Sequence, residues 1–236
     1  MAYRVGTLKR KKRMNTPNKI TTVRLVMAIL IIAIFSLSYI PGASETFAKE
    51  FVLAGFHLGF NWIDLVCCIL FVIGSITDAM DGHIARSRNL ITNLGKFMDP
   101  LADKFLVDSA FILLCSRLDF AGHFQVLPFF TVLFIGRDFA MDGLRLLAAN
   151  RGVVLAANKY GKVKTAIQMG LIPVLFLNGF PFSMFNFGNL DTWMNTRFEY
   201  TYIITNVLVG ISLFFSLLSM VIYFRQNSHI FKEEKK

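Results

Sequence analysis

Four aspartates in the first half of the chain have the types and spacing to do chemistry. Asp78 and Asp81 lie three residues apart, and Asp99 and Asp103 lie four apart. On a helix of 3.6 residues per turn, either interval puts both carboxylates of a pair on one face. Antiparallel neighbouring helices, joined by the stretch Asp81–Pro100, would bring the two pairs together. Four ionised carboxylates at close quarters repel strongly, so they either share protons or surround a cation. Hard oxygen donors select Mg²⁺, Mn²⁺ or Ca²⁺, and four of them suffice for a two-metal site. The residues among the acids suit a phosphate. Gly82 and Gly95 leave room for a ligand, Ala85 keeps the wall small, and Arg86 offers a planar fork to phosphate oxygens. Together these groups describe a diphosphate held through divalent metal. Salt bridging alone, Asp81 with Arg86 or Asp99 with Lys96, is the simpler alternative, but it does not explain four acids with two glycines.

The elements that must position these groups are membrane helices. Of 236 residues, 55% are hydrophobic and 17% charged, against roughly 45–50% and about 25% for a soluble domain. Six apolar runs approach the length of about 20 residues that a span needs: Ile20–Ile40, Asn61–Met80, Leu101–Leu118, Val126–Leu147, Val163–Leu177 and Tyr202–Phe224. An ionisable group inside a span costs roughly 2.5–3.5 kcal/mol on insertion scales, which places the four aspartates at a mouth reached by water and cations. The net charge is +10, and 22 of the 25 Lys and Arg fall on one side of a six-span arrangement. Only Lys49, Arg117 and Arg197 fall on the other. By the positive-inside rule both termini are cytosolic. The expectation is an all-α membrane protein of six transmembrane helices, with a basic extension over 1–16, a membrane catalytic domain over 17–225 and a charged tail over 226–236.

Other features qualify this picture. The basic excess serves topology and anionic headgroups, since the chain has no folded module that would present it to nucleic acid. The N-terminus mimics a secretory signal peptide up to Gly42-Ala43-Ser44, but its apolar run is long. Cys67, Cys68 and Cys115 lie in apolar runs and read as small buried hydrophobes. Trp62, Trp193 and Tyr202 fit an outer interfacial belt, with Asp64 beside it at the interface. Asp108, inside the third run, has no evident role beyond a buried hydrogen bond.

The motif Asp78-x-x-Asp81-Gly82-x-x-Ala85-Arg86, eight residues, then Gly95-x-x-x-Asp99-x-x-x-Asp103 resembles that of the CDP-alcohol phosphotransferases at every fixed position and spacing. Pro17–Arg24 resembles the family's entry to its first helix. Lys96–Lys104, Arg137-Asp138-Phe139-Ala140, Gly143-Leu144-Arg145 and Gly161–Thr165 are similar to the branch that makes phosphatidylglycerophosphate. The resemblance covers roughly Pro17 to Thr165 and implies a six-helix membrane fold, a homodimer, and a site opening to the cytosol. It implies CDP-diacylglycerol and sn-glycerol 3-phosphate as substrates, CMP as a product, and two divalent cations, Mg²⁺ or Mn²⁺, as cofactors.

Carried over residue by residue, the resemblance makes Asp78, Asp81, Asp99 and Asp103 the metal ligands and Asp103 also the general base. Asn18, Thr21, Gly82, Ala85, Arg86 and Gly95 would line the CDP-diacylglycerol site. Arg137, Arg145, Lys162 and Lys164, on the same side as the acids, are the cations expected to grip an anionic acceptor. Asp142 departs from the small or hydroxylated residue that relatives carry and is placed to tune Arg145. A cytosolic-side site without an organelle-targeting pattern suggests a bacterial plasma membrane. Three rivals remain: a cardiolipin synthase using phosphatidylglycerol as acceptor, an intramembrane prenyltransferase, and a cation transporter. The acceptor cations disfavour the first, the Gly82-x-x-Ala85-Arg86 continuation the second, and acids gathered at one mouth the third.

Overall fold

A computed structural model describes residues 16–40, 50–53, 56–88, 93–117, 125–151, 159–180 and 193–228. These contain six α-helices: α1 (Thr16–Ser36), α2 (Trp62–Arg88), α3 (Asn93–Ser116), α4 (Pro128–Asn150), α5 (Lys159–Phe176) and α6 (Trp193–Gln226). A 3₁₀ turn (Leu37–Tyr39) follows α1. Strands β1 (Glu50–Leu53) and β2 (Phe56–Asn61) form an antiparallel hairpin before α2. The hairpin adds a small β element to the expected all-α fold. Phe56-His57-Leu58-Gly59-Phe60 alternates apolar with small or polar residues, the period that a strand requires.

Each apolar run falls on a helix, but the helices near the acidic motif are longer than the runs. α2 continues past Met80 to Arg88, and α3 begins at Asn93, before Leu101. The stretch from Asp81 to Pro100, expected as a connection, is therefore mostly helix. A run ends where charge begins, whereas backbone hydrogen bonding continues as long as no residue forbids it. The thirty-four-residue α6 spans about 50 Å at 1.5 Å per residue.

Two stretches are long and apolar enough to cross a membrane, Thr21–Tyr39 and Ile203–Gln226. Trp62–Thr77 and Val163–Phe176 are shorter apolar stretches. α3 and α4 are interrupted by charge, as at Asp103, Lys104 and Asp108 or Arg137, Asp138, Asp142 and Arg145. The outside of the bundle is nevertheless apolar. Ile29, Ile73, Ile112, Val132, Phe139, Leu146 and Phe214, from five helices, are 41–71% exposed. Water-soluble monomers rarely carry so extensive an apolar surface, whereas a lipid environment accepts it.

Packing centres on α1, which lies against both α2 and α3, while those two touch each other only slightly among the described residues. Where α2 and α3 meet, Gly74 makes room: a Cβ there would stand 2.9 Å from Leu106 Cδ2. α5 packs on α6, α2 and α3, and α4 on α6 and α3. The core is aromatic at these junctions. Phe111 of α3 stacks on Phe134 of α4 at 4.8 Å, and Phe176 of α5 meets Phe35 and Phe71 at 6.3 and 6.2 Å.

Candidate functional site

The two halves of the acidic motif lie on two helices: Asp78, Asp81, Gly82, Ala85 and Arg86 on α2, and Gly95, Asp99 and Asp103 on α3. Each aspartate pair therefore occupies about one helical turn. Among the described residues α1 packs against both of these helices, which touch each other at few points. Asn18 and Thr21 lie on α1, and Thr21 and Arg24 are buried. The side chains of Asn18, Asp78, Asp81, Ala85, Arg86, Asp99 and Lys162, with the surroundings of Gly82 and Gly95, lie outside the described residues.

Asp103 is described, and it opens onto a cavity of about 740 Å³ bounded by α2, α3, α4, α5 and α6. Lys104 of α3, Arg137, Asp138 and Arg145 of α4, and Lys164 of α5 line the same cavity. Helical periodicity explains the α4 contribution, since Arg137, Met141 and Arg145 are four residues apart and share one face. Ser219 and Tyr223 of α6 complete that side at the same interval. Four cations thus face two carboxylates, an arrangement suited to an anion. Of the cations expected to grip an acceptor, the fold brings Arg137, Arg145 and Lys164 to one cavity with Asp103.

The cations are not equally disposed. Lys164 Nζ donates to both carboxylate oxygens of Asp138, at 2.9 and 2.7 Å. Arg137 Nη1 donates to Asp138 Oδ1 at 2.7 Å, its Nε to the Ser216 carbonyl at 3.3 Å, and its Nη2 to Ser219 Oγ at 3.4 Å. Lys104 Nζ donates to the Asp138 carbonyl at 3.4 Å and forms an ion pair with Asp142. Arg145 is exposed and has no ion pair among the described residues.

Several sequence expectations change here. Asp142 partners Lys104 across the α3–α4 contact instead of tuning Arg145. The reason is reach: Lys104 has a flexible stem on the facing helix, whereas Arg145 turns toward the cavity. Asp64 is buried within the bundle, at 1% exposure, and paired with Arg117. It also closes a reciprocal cap on α2. The Asn61 N–H donates to Asp64 Oδ2 at 3.0 Å, and the Asp64 N–H donates to Asn61 Oδ1 at 2.9 Å. Asp108 is half-buried and has no hydrogen bond among the described residues; it lies within electrostatic reach of Lys104, Lys164 and Asp138. Lys104 and Asp138 were not among the candidate site residues. The signal for Asp138 is an acid within the apolar run Val126–Leu147.

Bundle, motif helices and cation-lined cavity are those of a lipid-modifying transferase. Residues 14–218 match the family model described as CDP-alcohol phosphatidyltransferase, and the chain belongs to that family. Among its relatives is the CDP-diacylglycerol–glycerol-3-phosphate 3-phosphatidyltransferase of Bacillus subtilis (strain 168), 39% identical over 186 residues, covering 78% of this chain and 89% of the relative. A Mycoplasma pneumoniae protein of the same name is 31% identical over 210 residues, covering 89% of this chain and 86% of its own length. One from Rickettsia felis is 32% identical over 163 residues, 69% of this chain and 75% of the relative.

Proposed function

We propose that this chain transfers the phosphatidyl group of CDP-diacylglycerol to sn-glycerol 3-phosphate, giving phosphatidylglycerophosphate and CMP. The observation that carries the reading is 39% identity to the Bacillus subtilis transferase across 89% of that protein's length. The complete eight-position motif, distributed over α2 and α3, supports it independently.

In this reaction the acceptor hydroxyl oxygen forms a bond to the phosphorus that carries diacylglycerol. The bond from that phosphorus to the CMP oxygen breaks, and CMP leaves with the electron pair. Asp103 takes the hydroxyl proton, a task that requires a carboxylate within hydrogen-bond reach of the attacking oxygen. Arg145, Lys164, Arg137 and Lys162 hold the acceptor phosphate. Asn18, Thr21, Gly82, Ala85, Arg86 and Gly95 cradle the CDP moiety. Members of this family work with divalent metal, and the donor set fits: Asp78, Asp81, Asp99 and Asp103 supply hard oxygens at one-turn intervals and would hold two ions, Mg²⁺ or Mn²⁺. When bound, the metal offsets charge on the diphosphate and on departing CMP.

The six helices cross the membrane with both termini and the cavity on the cytosolic side. The one-sided distribution of Lys and Arg and the apolar exterior support this placement. CMP release tests the reaction. Purified protein with CDP-diacylglycerol and Mg²⁺ is expected to release CMP with glycerol 3-phosphate and not with phosphatidylglycerol, inositol or serine. Asp99→Asn and Asp103→Asn are expected to abolish release. Release with phosphatidylglycerol alone would instead indicate a cardiolipin synthase, and activity in both variants would overturn the role of the aspartates.

A further inference from the structure

Asp138 has the most connected side chain described in the cavity, and the reaction above gives it no task. It is 7% exposed, and Lys164 beside it is 6% exposed. Its carboxylate receives both Lys164 and Arg137, and its backbone carbonyl receives Lys104, so residue 138 gathers cations from α3, α4 and α5. Such a buried cluster is weak evidence for stability, because desolvating the charges offsets much of their attraction. Its place on the cavity wall indicates another use. A lysine ammonium has three N–H donors and a guanidinium five. Asp138 engages two donors of Lys164, and Asp138, Ser216 and Ser219 engage three of Arg137. That leaves one donor on Lys164 and two on Arg137, on side chains whose orientation is already set.

We propose that Asp138 is a positioning residue for the acceptor: by fixing Lys164 and Arg137 it aims their remaining N–H groups at the phosphate of a small phosphorylated alcohol. The inference rests on the acceptor assignment above. Without the carboxylate the two cations repel each other, and each must be ordered anew when the phosphate arrives. Asp138 does not touch the reacting atoms, so its loss falls on acceptor binding and not on the chemical step.

The test is a comparison of steady-state constants in the full-length protein. Wild-type CMP release with glycerol 3-phosphate comes first, since its absence would refute the proposed reaction and not the role of Asp138 alone. Given that activity, Asp138→Asn is expected to raise KM for glycerol 3-phosphate at least about tenfold, the scale of one lost charge-assisted interaction. KM for CDP-diacylglycerol and kcat should change by less than about threefold on that basis. Asp138→Glu, which keeps the charge, should recover most of the loss. If Asp138→Asn alone does not fold, Asp138→Asn combined with Lys104→Met removes the unbalanced charge without touching an acceptor ligand, and it should show the same selective rise in KM relative to Lys104→Met alone. An unchanged or lowered KM for glycerol 3-phosphate, an equal rise for both substrates, or no recovery by glutamate would overturn the proposal.

Discussion

Asp138 and Arg145 illustrate how the cavity divides its work at the residue scale. Arg137 and Lys164 are oriented by Asp138, and Lys104 is drawn to Asp142. Arg145 alone among the described cavity cations has no ion pair, so its guanidinium can give a phosphate two parallel hydrogen bonds. Arg145→Gln is therefore expected to raise KM for glycerol 3-phosphate by about tenfold to a hundredfold, the range for a charge-assisted bond of roughly 1.5–3 kcal/mol. Arg145→Lys should recover only part, because an ammonium lacks the fork. Initial-rate titrations of the acceptor measure both. Arg137, Arg145 and Lys164 were legible in the sequence as cations within apolar runs on the side of the acidic motif, whereas Lys104 was not singled out. Asp138 was harder to find, because an acid next to an arginine reads as a local pair, and its bond to Lys164 crosses 26 residues of chain.

At the scale of elements, the end of the bundle remote from the cavity is closed by a different ion pair. Asp64 caps the first turn of α2 and holds Arg117 just beyond α3, so the two helices that share the acidic motif are also tied at their opposite ends. The pair is well shielded, with side-chain exposures of 2% for Asp64 and 17% for Arg117. Breaking it from one side leaves an uncompensated buried charge, and Arg117→Met is expected to destabilise the protein by about 3–5 kcal/mol. Adding Asp64→Asn should restore much of that, and thermal unfolding in detergent reads both changes. Neither the cap between Asn61 and Asp64 nor the partner at 117 was read from the sequence, and the pairing with Arg117 depends on how α2 and α3 are set around α1. Helix ends were likewise hidden: charge marks where a span leaves lipid, and α2 and α3 continue as helix well beyond that point.

For the whole molecule, hydrophobic patterning located all six helices because each buries apolar residues in the core, while most also carry apolar residues on the outside. The hairpin before α2 was masked by its place in a presumed loop, although its alternation was readable. The proposed orientation rests on the one-sided distribution of Lys and Arg in the sequence. Alkaline phosphatase fused after residue 119 should be active outside a bacterial cell, whereas a fusion after residue 228 should be inactive and a fluorescent reporter there should mature in the cytosol. Reversed signals would contradict the topology.

In the proposed site, aspartates from α2 and α3 hold a shared pair of divalent ions beside the CDP-linked lipid. Electron paramagnetic resonance of Mn²⁺ with purified protein and CDP-diacylglycerol measures it most directly. Two strongly bound, magnetically coupled ions per chain are expected in the wild type, with the coupling lost in Asp81→Asn and in Asp103→Asn alike. Mn²⁺ binding and coupling unchanged in variants of both helices would contradict it.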